Sequence, residues 1–320
     1  MTDRSNFGAE TTTDEVLEGI GLSGKLVVIT GGASGLGAET ARAMAAKGAH
    51  IIIPARDMAK GEEAAKNIKA ATGNDNIEVM QMDLGSLDSI RAFAGAFLAK
   101  YDRIDLLINN AGVMACPFGK TSDGFEMQFG TNHVGHFLLT NLLMPAILKG
   151  APARIVNLSS RGHHLDHVHF EDLHCETREY GKWPAYGQAK TANVLFSVAL
   201  EQRLADKDVH SYAVHPGGIV TNLGRHLTPE DIAGLMARME ENSGDGPMMK
   251  NVEQGAATSC YAATAPELKG QGGVYLEDCH VANMDDSDPS GGVRSYAIDP
   301  ENAEKLWAVS EEMVGQKFGY

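Results

Sequence analysis

Residues 25–37 constrain this chain more than any other stretch. Lys25-Leu26-Val27-Val28-Ile29-Thr30 is a β-rich apolar run without alternation, followed by Gly31-Gly32-Ala33-Ser34-Gly35-Leu36-Gly37 and an Ala-rich stretch, 36–47, that stops at Gly48. An unalternating strand suits the middle of a parallel sheet covered on both faces. Glycines in the turn after it permit unusual dihedrals and let backbone N–H groups approach a diphosphate, to which the helix terminus adds positive potential. The strand before the turn and the helix after it favour nucleotide binding over a bare tight turn. No Gly-Lys-Ser/Thr ends the loop, which disfavours Walker-type chemistry.

The alternation continues along the chain. Strands are predicted at 50–53, 77–80, 104–108, 154–158, 209–214 and 274–276, and helices at 58–71, 87–100, within 127–148 and at 186–204. This order predicts an α/β, Rossmann-type doubly wound parallel sheet, a single domain with helices on both faces. Residues 1–23 read as an N-terminal polar arm with a short helix around 15–19, 24–286 as the catalytic domain, and 287–320 as a C-terminal extension. In that extension Asp299-Pro300-Glu301 opens a helix over 303–313. Two polar insertions, 161–184 and 222–251, fall where α/β proteins place substrate contacts, the second with a short helix after Thr228-Pro229.

Composition narrows the function classes. Lys plus Arg number 27 against 42 Asp plus Glu, a formal charge of -15, which disfavours a nucleic-acid partner or an anionic membrane surface. No apolar run reaches the ~20 residues of a spanning helix, and no signal-peptide pattern is visible, so a cytoplasmic protein with no membrane partner is expected. The four cysteines, Cys116, Cys175, Cys260 and Cys279, are scattered and read as ordinary thiols of a reducing compartment. The first insertion holds His163, His164, His167, His169 and His174, yet has neither HExxH nor a closed Cys/His pattern, and no metal is expected.

Several ordered motifs together resemble the short-chain dehydrogenase/reductase family. They are Thr30-Gly31-xxx-Gly35-x-Gly37, Asn109-Asn110-Ala111-Gly112, Tyr186-xxx-Lys190 and His215-Pro216-Gly217-Gly218-Ile219-Val220-Thr221, running in order within 25–276. Pro54-Ala55-Arg56-Asp57, the histidine-bearing insertion and Leu306-Trp307 are most similar to the retinol dehydrogenase-like branch. Residues 1–23 carry none of the apolar anchor of many membrane-bound members, and the reading does not extend to retinoids. The resemblance implies a catalytic set of Asn132, Ser160, Tyr186 and Lys190. It implies cofactor contacts at Gly31, Ser34, Gly35, Leu36, Gly37, Arg56, Asp83, Leu84, Asn110, Ala111, Gly112, Tyr186, Lys190, Pro216, Gly217, Ile219 and Thr221.

The chemistry agrees with that set. Tyr186 and Lys190 are four residues apart, so on a helix both project from one face. A phenol near pKa ~10 is a poor base at neutral pH, and a nearby ammonium and the positive ring of oxidised cofactor favour phenolate. Ser160, at the end of a strand, is placed to polarise a carbonyl or hold an alkoxide. The resemblance selects Ser160 over Ser159, with 161–184 as an insertion. It also implies that Lys190 binds the nicotinamide ribose hydroxyls and that Asn132 distorts its helix and positions a relay water. Hydride transfer to or from a carbonyl or alcohol carbon, with Tyr186 exchanging the proton, is the expected reaction.

Arg56 follows the second strand, at the rim where the adenosine ribose lies about 20 residues beyond the glycine loop. A guanidinium there makes charge-assisted contacts to a 2'-phosphate, which predicts NADP with NAD as the alternative; Asp57 is read as a helix N-cap. Met, Phe, Leu and Trp in 114–118, 161–184 and 223–249 favour a small-to-medium apolar or aromatic small-molecule substrate. The resemblance further implies a homodimer or homotetramer through 127–148 and 186–204. Two other readings stand beside this one: a dinucleotide-binding structural or redox-sensing protein, and epimerase/dehydratase chemistry with the same Tyr/Lys pair.

Overall fold

A computed structural model describes residues 6–242 and 249–320. The first five residues of the expected arm and 243–248 of the second insertion lie outside the described residues. In chain order the elements are α1 (Thr13–Val16), β1 (Leu26–Ile29), α2 (Gly35–Ala46), β2 (His50–Ala55), α3 (Met58–Thr72), β3 (Ile77–Gln81), α4 (Leu87–Lys100) and β4 (Leu106–Asn109). They continue as α5 (Met127–Phe129), a π-helical segment (Gly130–Val134), α6 (Gly135–Lys149), β5 (Ala153–Leu158), a 3-10 helix (Arg161–Leu165), α7 (Lys182–Leu204) and β6 (Val209–His215). The remainder is α8 (Pro229–Asn242), α9 (Val252–Thr264), β7 (Val274–Glu277), β8 (His280–Val281) and α10 (Pro300–Val314).

The strands form one sheet in the order β3-β2-β1-β4-β5-β6-β7-β8. Strands β1 to β7 pair in parallel, and β8 adds an antiparallel edge. Along β1, Leu26 and Val28 enter the layer under α4, α6 and α7, while Val27 and Ile29 enter the layer under α2 and α9. Both faces are buried, which is why the strand shows no alternation in sequence. Strand order reverses between β1 and β4, so the glycine turn after β1 opens at the crevice where a doubly wound Rossmann sheet binds ligands.

Two regions depart from the sequence expectation. Val16 and Leu17 are fully buried and Leu22 nearly so, packed with α9 side chains in one core; residues 16–22 are part of the domain, held by a partner distant in sequence. Helix α9 itself was not anticipated, although Asn251 and Gln254 form a complete capping box at its start. The helix expected within 127–148 carries a π segment between α5 and α6, at the Asn132 for which the resemblance implied a local distortion. At the C-terminus, Asp299 caps α10 and Pro300 occupies its first turn as predicted. Trp307 packs edge-on against Phe137 at 5.0 Å and beneath the Arg203 guanidinium at 4.0 Å, so α10 covers surface of α6 and α7 that the resemblance assigned to subunit association.

Candidate active site

The glycine turn is shaped by close approach. Gly31 has φ +68° and Gly35 φ +53°, and a Cβ on Gly37 would collide with the Gly31 carbonyl oxygen. Ser34 is the N-cap of α2 and makes no side-chain cap bond, leaving the first-turn N–H groups of Gly35, Leu36 and Gly37 open for an anionic ligand. A Cβ on Gly35 would meet Thr221 at 3.6 Å, and one on Gly255 would meet both Ile219 and Leu36; the segment after β6 therefore lies over the turn. Gly217, at φ +98°, passes against the Lys250 side chain. The Lys250 N–H donates to the Gly218 carbonyl at 2.9 Å, and its ammonium pairs with Asp278.

Thr30 ties the turn to the end of β4. Its Oγ1 accepts the N–H groups of Asn110 (2.9 Å) and Ala111 (3.0 Å), and the Asn110 side chain donates to the Thr30 carbonyl at 2.8 Å. The hydroxyl also meets His136 Nε2 at 2.9 Å, while His136 Nδ1 meets the Asn132 carbonyl at 2.9 Å. A carbonyl only accepts, so Nδ1 carries the proton and Nε2 accepts from Thr30. Burial pushes His136 down to about 4, consistent with that neutral tautomer. Asn132 lies in the π segment, with its side chain paired in both directions to Val113, Oδ1 from N–H at 2.8 Å and Nδ2 to C=O at 2.9 Å. His136 escaped the sequence reading; its spacing of four from Asn132 on one helix was the available signal.

The two serines after β5 separate. Ser159 is buried and donates to the Lys190 carbonyl at 2.8 Å, a structural bond between β5 and α7. Ser160 caps the 3-10 helix by accepting the Gly162 N–H at 3.0 Å, and its hydroxyl stands near enough to the Tyr186 phenol to lower its pKa. Lys190 donates to the Leu158 carbonyl at 2.8 Å, with its ammonium 5.6 Å from the Tyr186 ring centroid. Gly112 abuts this cluster, since a Cβ there would lie 3.0 Å from Asn132 Oδ1 and 3.8 Å from Lys190 Nζ. Asn132, Ser160, Tyr186 and Lys190 thus gather at the carboxyl ends of β4 and β5.

Burial opposes the phenolate that the neighbouring ammonium and an oxidised cofactor ring are expected to favour. Burial pushes Tyr186 up to about 12, and the Ser160 hydroxyl pulls only partly the other way. Burial also brings Lys190 down to about 8. The phenol holds its proton at neutral pH, because desolvation opposes its charged form.

At the adenosine rim, Arg56 is exposed directly after β2. Asp57 Oδ1 accepts the Lys60 N–H at 3.2 Å as the N-cap of α3, which turns its carboxylate toward the helix. Asp83 Oδ1 accepts the Gly85 N–H at 2.9 Å, and the Asp83 N–H donates to Ser89 at 2.8 Å. The Leu84 carbonyl lies against Gly135, at the start of α6. Of the insertion histidines, His167 and His169 meet Asp166, with ligand atoms within 4.8 Å of one another. Asp166 is already engaged there by His169 Nε2 at 2.8 Å and the His167 N–H at 3.0 Å. His163, His164 and His174 have other partners.

Comparison with known proteins agrees with this geometry. The short chain dehydrogenase family profile matches residues 25–231. The chain belongs to the short-chain dehydrogenase/reductase family. It is 44% identical to retinol dehydrogenase 12 of Mus musculus over 294 residues, 92% of this chain and 87% of that one. It is 43% identical to retinol dehydrogenase 13 of Homo sapiens over 298 residues, covering 92% and 86%. A solved structure from Mycobacterium paratuberculosis superposes with TM-score 0.71 at 34% identity, over 94% of this chain and 97% of that one. The enzyme is an NAD(P)-dependent oxidoreductase related to the retinol dehydrogenases. Among the described residues no helix is long and apolar enough to cross a membrane.

Proposed function

We propose that the enzyme interconverts an alcohol and a ketone or aldehyde on an apolar or aromatic substrate, with NADP(H) preferred over NAD(H). The observation that carries this reading is the convergence of Ser160, Tyr186 and Lys190 next to Gly112 and the glycine turn. The residues fit a dinucleotide. The uncapped start of α2 suits a diphosphate, and Lys190 has three ammonium donors with Leu158 as its hydrogen-bonded acceptor, leaving donors for ribose hydroxyls. When bound, the nicotinamide supplies or accepts the hydride.

The protein's own residues then divide the work. Tyr186 gives its proton to the substrate oxygen in reduction and takes it back in oxidation. Ser160 donates to the same oxygen as charge develops on it. Lys190 orients the ribose and, as a cation, favours proton release from Tyr186. Asn132, locked to Val113 and His136, holds the π segment against Gly112 and serves the proton relay. Gly31, Ser34, Gly35, Leu36 and Gly37 hold the diphosphate, and Asp83 with Leu84 borders adenine. Asn110, Ala111, Gly112, Pro216, Gly217, Ile219 and Thr221 enclose the nicotinamide end.

Two observations support the finer choices. Arg56 is exposed at the rim while Asp57 is committed to α3, which suits a 2'-phosphate. Phe118, Leu165, Ile232 and Met249 expose apolar side chains on the segments assigned to the substrate opening. Retinol, named in the relatives, is itself an apolar alcohol. The test is kcat/KM with NADPH and NADH across a panel of apolar ketones and aldehydes and of charged sugars. Preferential turnover of the apolar members with NADPH is expected; preferential turnover of sugars overturns the substrate class, and NADH preference overturns the cofactor choice.

A further inference from the structure

The turn that carries Ser160 is bolted from behind. The Ser160 carbonyl accepts two bonds from one residue, the His163 N–H at 3.0 Å and His163 Nδ1 at 2.8 Å. A carbonyl cannot donate, so Nδ1 bears the proton and Nε2 is left as an acceptor. That acceptor is used by the Arg294 N–H at 3.2 Å. The His163 carbonyl in turn receives the Tyr296 hydroxyl at 2.6 Å and the Thr191 hydroxyl at 3.2 Å. The imidazole is fully buried, and burial with His164 and Arg294 nearby pushes it down to about 3, so it stays neutral in this single tautomer.

The partner segment is itself well braced. The Arg294 guanidinium gathers the carbonyls of Asp285 and Asp288 and meets His164 Nδ1 at 3.1 Å. His164 Nε2 donates to the Gly292 carbonyl at 3.0 Å, and the Arg161 guanidinium donates to the Ser290 carbonyl. On the other side, Gly162 lies against the Tyr186 ring, where a Cβ would come within 2.7 Å of Cε1. The short turn 160–163 is thus clasped between Tyr186 and residues 290–296.

We propose that His163 is a positioning residue for Ser160, held in register by the C-terminal segment through Arg294 and Tyr296. The inference rests on the role given to Ser160 in the proposed function. A buried side chain needed only to fill space would be apolar; His163 instead spends both nitrogens on directed bonds, one to the backbone of the serine. With Nδ1 donating and Nε2 accepting, it has no proton to exchange with substrate. Its effect is on where the Ser160 hydroxyl stands, and misplacement of about 1 Å can lower turnover by about 100-fold.

The variants separate the two bonds. His163→Asn sets an amide nitrogen near the position of Nδ1, whereas His163→Gln reaches the position of Nε2 without serving the Ser160 carbonyl, and His163→Leu serves neither. Expected results are kcat within about threefold of the parent for Asn, and a fall of roughly 10- to 100-fold for Gln and Leu. KM and the cofactor Kd, the latter read by fluorescence titration, stay within about twofold. Tyr296→Phe, which removes the bond to the His163 carbonyl and lies outside the catalytic set, lowers kcat by about threefold or more by the same route. Parent-like kcat in Gln, Leu and Tyr296→Phe, an Asn variant as impaired as Leu, or a loss confined to KM overturns the proposal. Should Leu not fold, the Asn and Gln pair decides. Ser160→Ala is measured beside them: an inactive variant keeps the reading of the site and leaves the His163 results to judge this inference, while an active one overturns that reading itself.

Discussion

Lys190 is anchored to Leu158, its ammonium donating to that carbonyl at 2.8 Å, so the charge beside Tyr186 is tied to the end of β5, two residues before Ser160. Burial brings Lys190 to about 8 and Tyr186 to about 12. Carbonyl reduction needs the tyrosine proton and the lysine charge together. The lysine loses its proton first, so the rate of reduction is expected to fall as pH rises through about 8. Lys190→Arg, slower in absolute rate, should carry no such limb below about pH 12, because a guanidinium stays charged there. An unchanged limb in that variant would assign it elsewhere.

The same shift has a consequence for stability. Lys190 titrates lower in the folded chain, about 8, than the roughly 10.4 of an exposed lysine. Between those values the unfolded chain binds more protons, so this group's contribution makes stability rise with pH through that window. Comparing the pH slope of denaturant midpoints for the parent and Lys190→Met isolates it; a parent slope no more positive than that of the variant contradicts the shift.

Arg56 and Asp57 are adjacent and are assigned opposite duties. Arg56→Asp is expected to swing the kcat/KM ratio from NADPH toward NADH by about 100-fold or more, since a carboxylate replaces the phosphate's partner and repels it. Asp57→Ala should leave that ratio alone and lower the denaturant midpoint through the lost N-cap bond to Lys60. Exchange of these two outcomes, measured by steady-state kinetics and denaturant unfolding, would reverse the assignments.

Removal of metal ions is expected to leave turnover intact. Asp166, His167 and His169 stand close enough to share an ion, but Asp166 already accepts from both histidines and faces Arg178 at 3.6 Å. Exhaustive chelation followed by metal analysis and assay tests this. Activity lost on chelation and restored by one stoichiometric metal ion would show a dependence that Tyr186 chemistry does not require.

What could be read from the sequence was local. The turn at 30–37, the strand ahead of it and the Tyr186/Lys190 spacing are set by neighbouring residues, and a parallel sheet with helices on both faces follows from the strand–helix alternation. Helix α9 was missed because Gly255, Ala256, Ala257, Ser259, Ala262 and Ala263 give little hydrophobic periodicity; its burial comes from packing against α1 and α2 and over β4, β5 and β6. Val16 and Leu17 sit in a polar stretch and are buried because α9 and α2 lie across them. His136 and His163 were legible as histidines and not as parts of the site. Their duties depend on Thr30 and Arg294, more than a hundred residues away in each case.

The central claim is that Tyr186 moves the proton. Tyr186→Phe removes one oxygen from a buried ring and leaves the glycine turn, Lys190 and Arg56 untouched. Single-turnover reduction with pre-bound cofactor measures the chemical step alone, and fluorescence titration measures cofactor affinity on the same sample. The account predicts a hydride-transfer rate lower by about 100-fold or more with the cofactor Kd within about twofold of the parent. A variant that transfers hydride at a near-parent rate would contradict it.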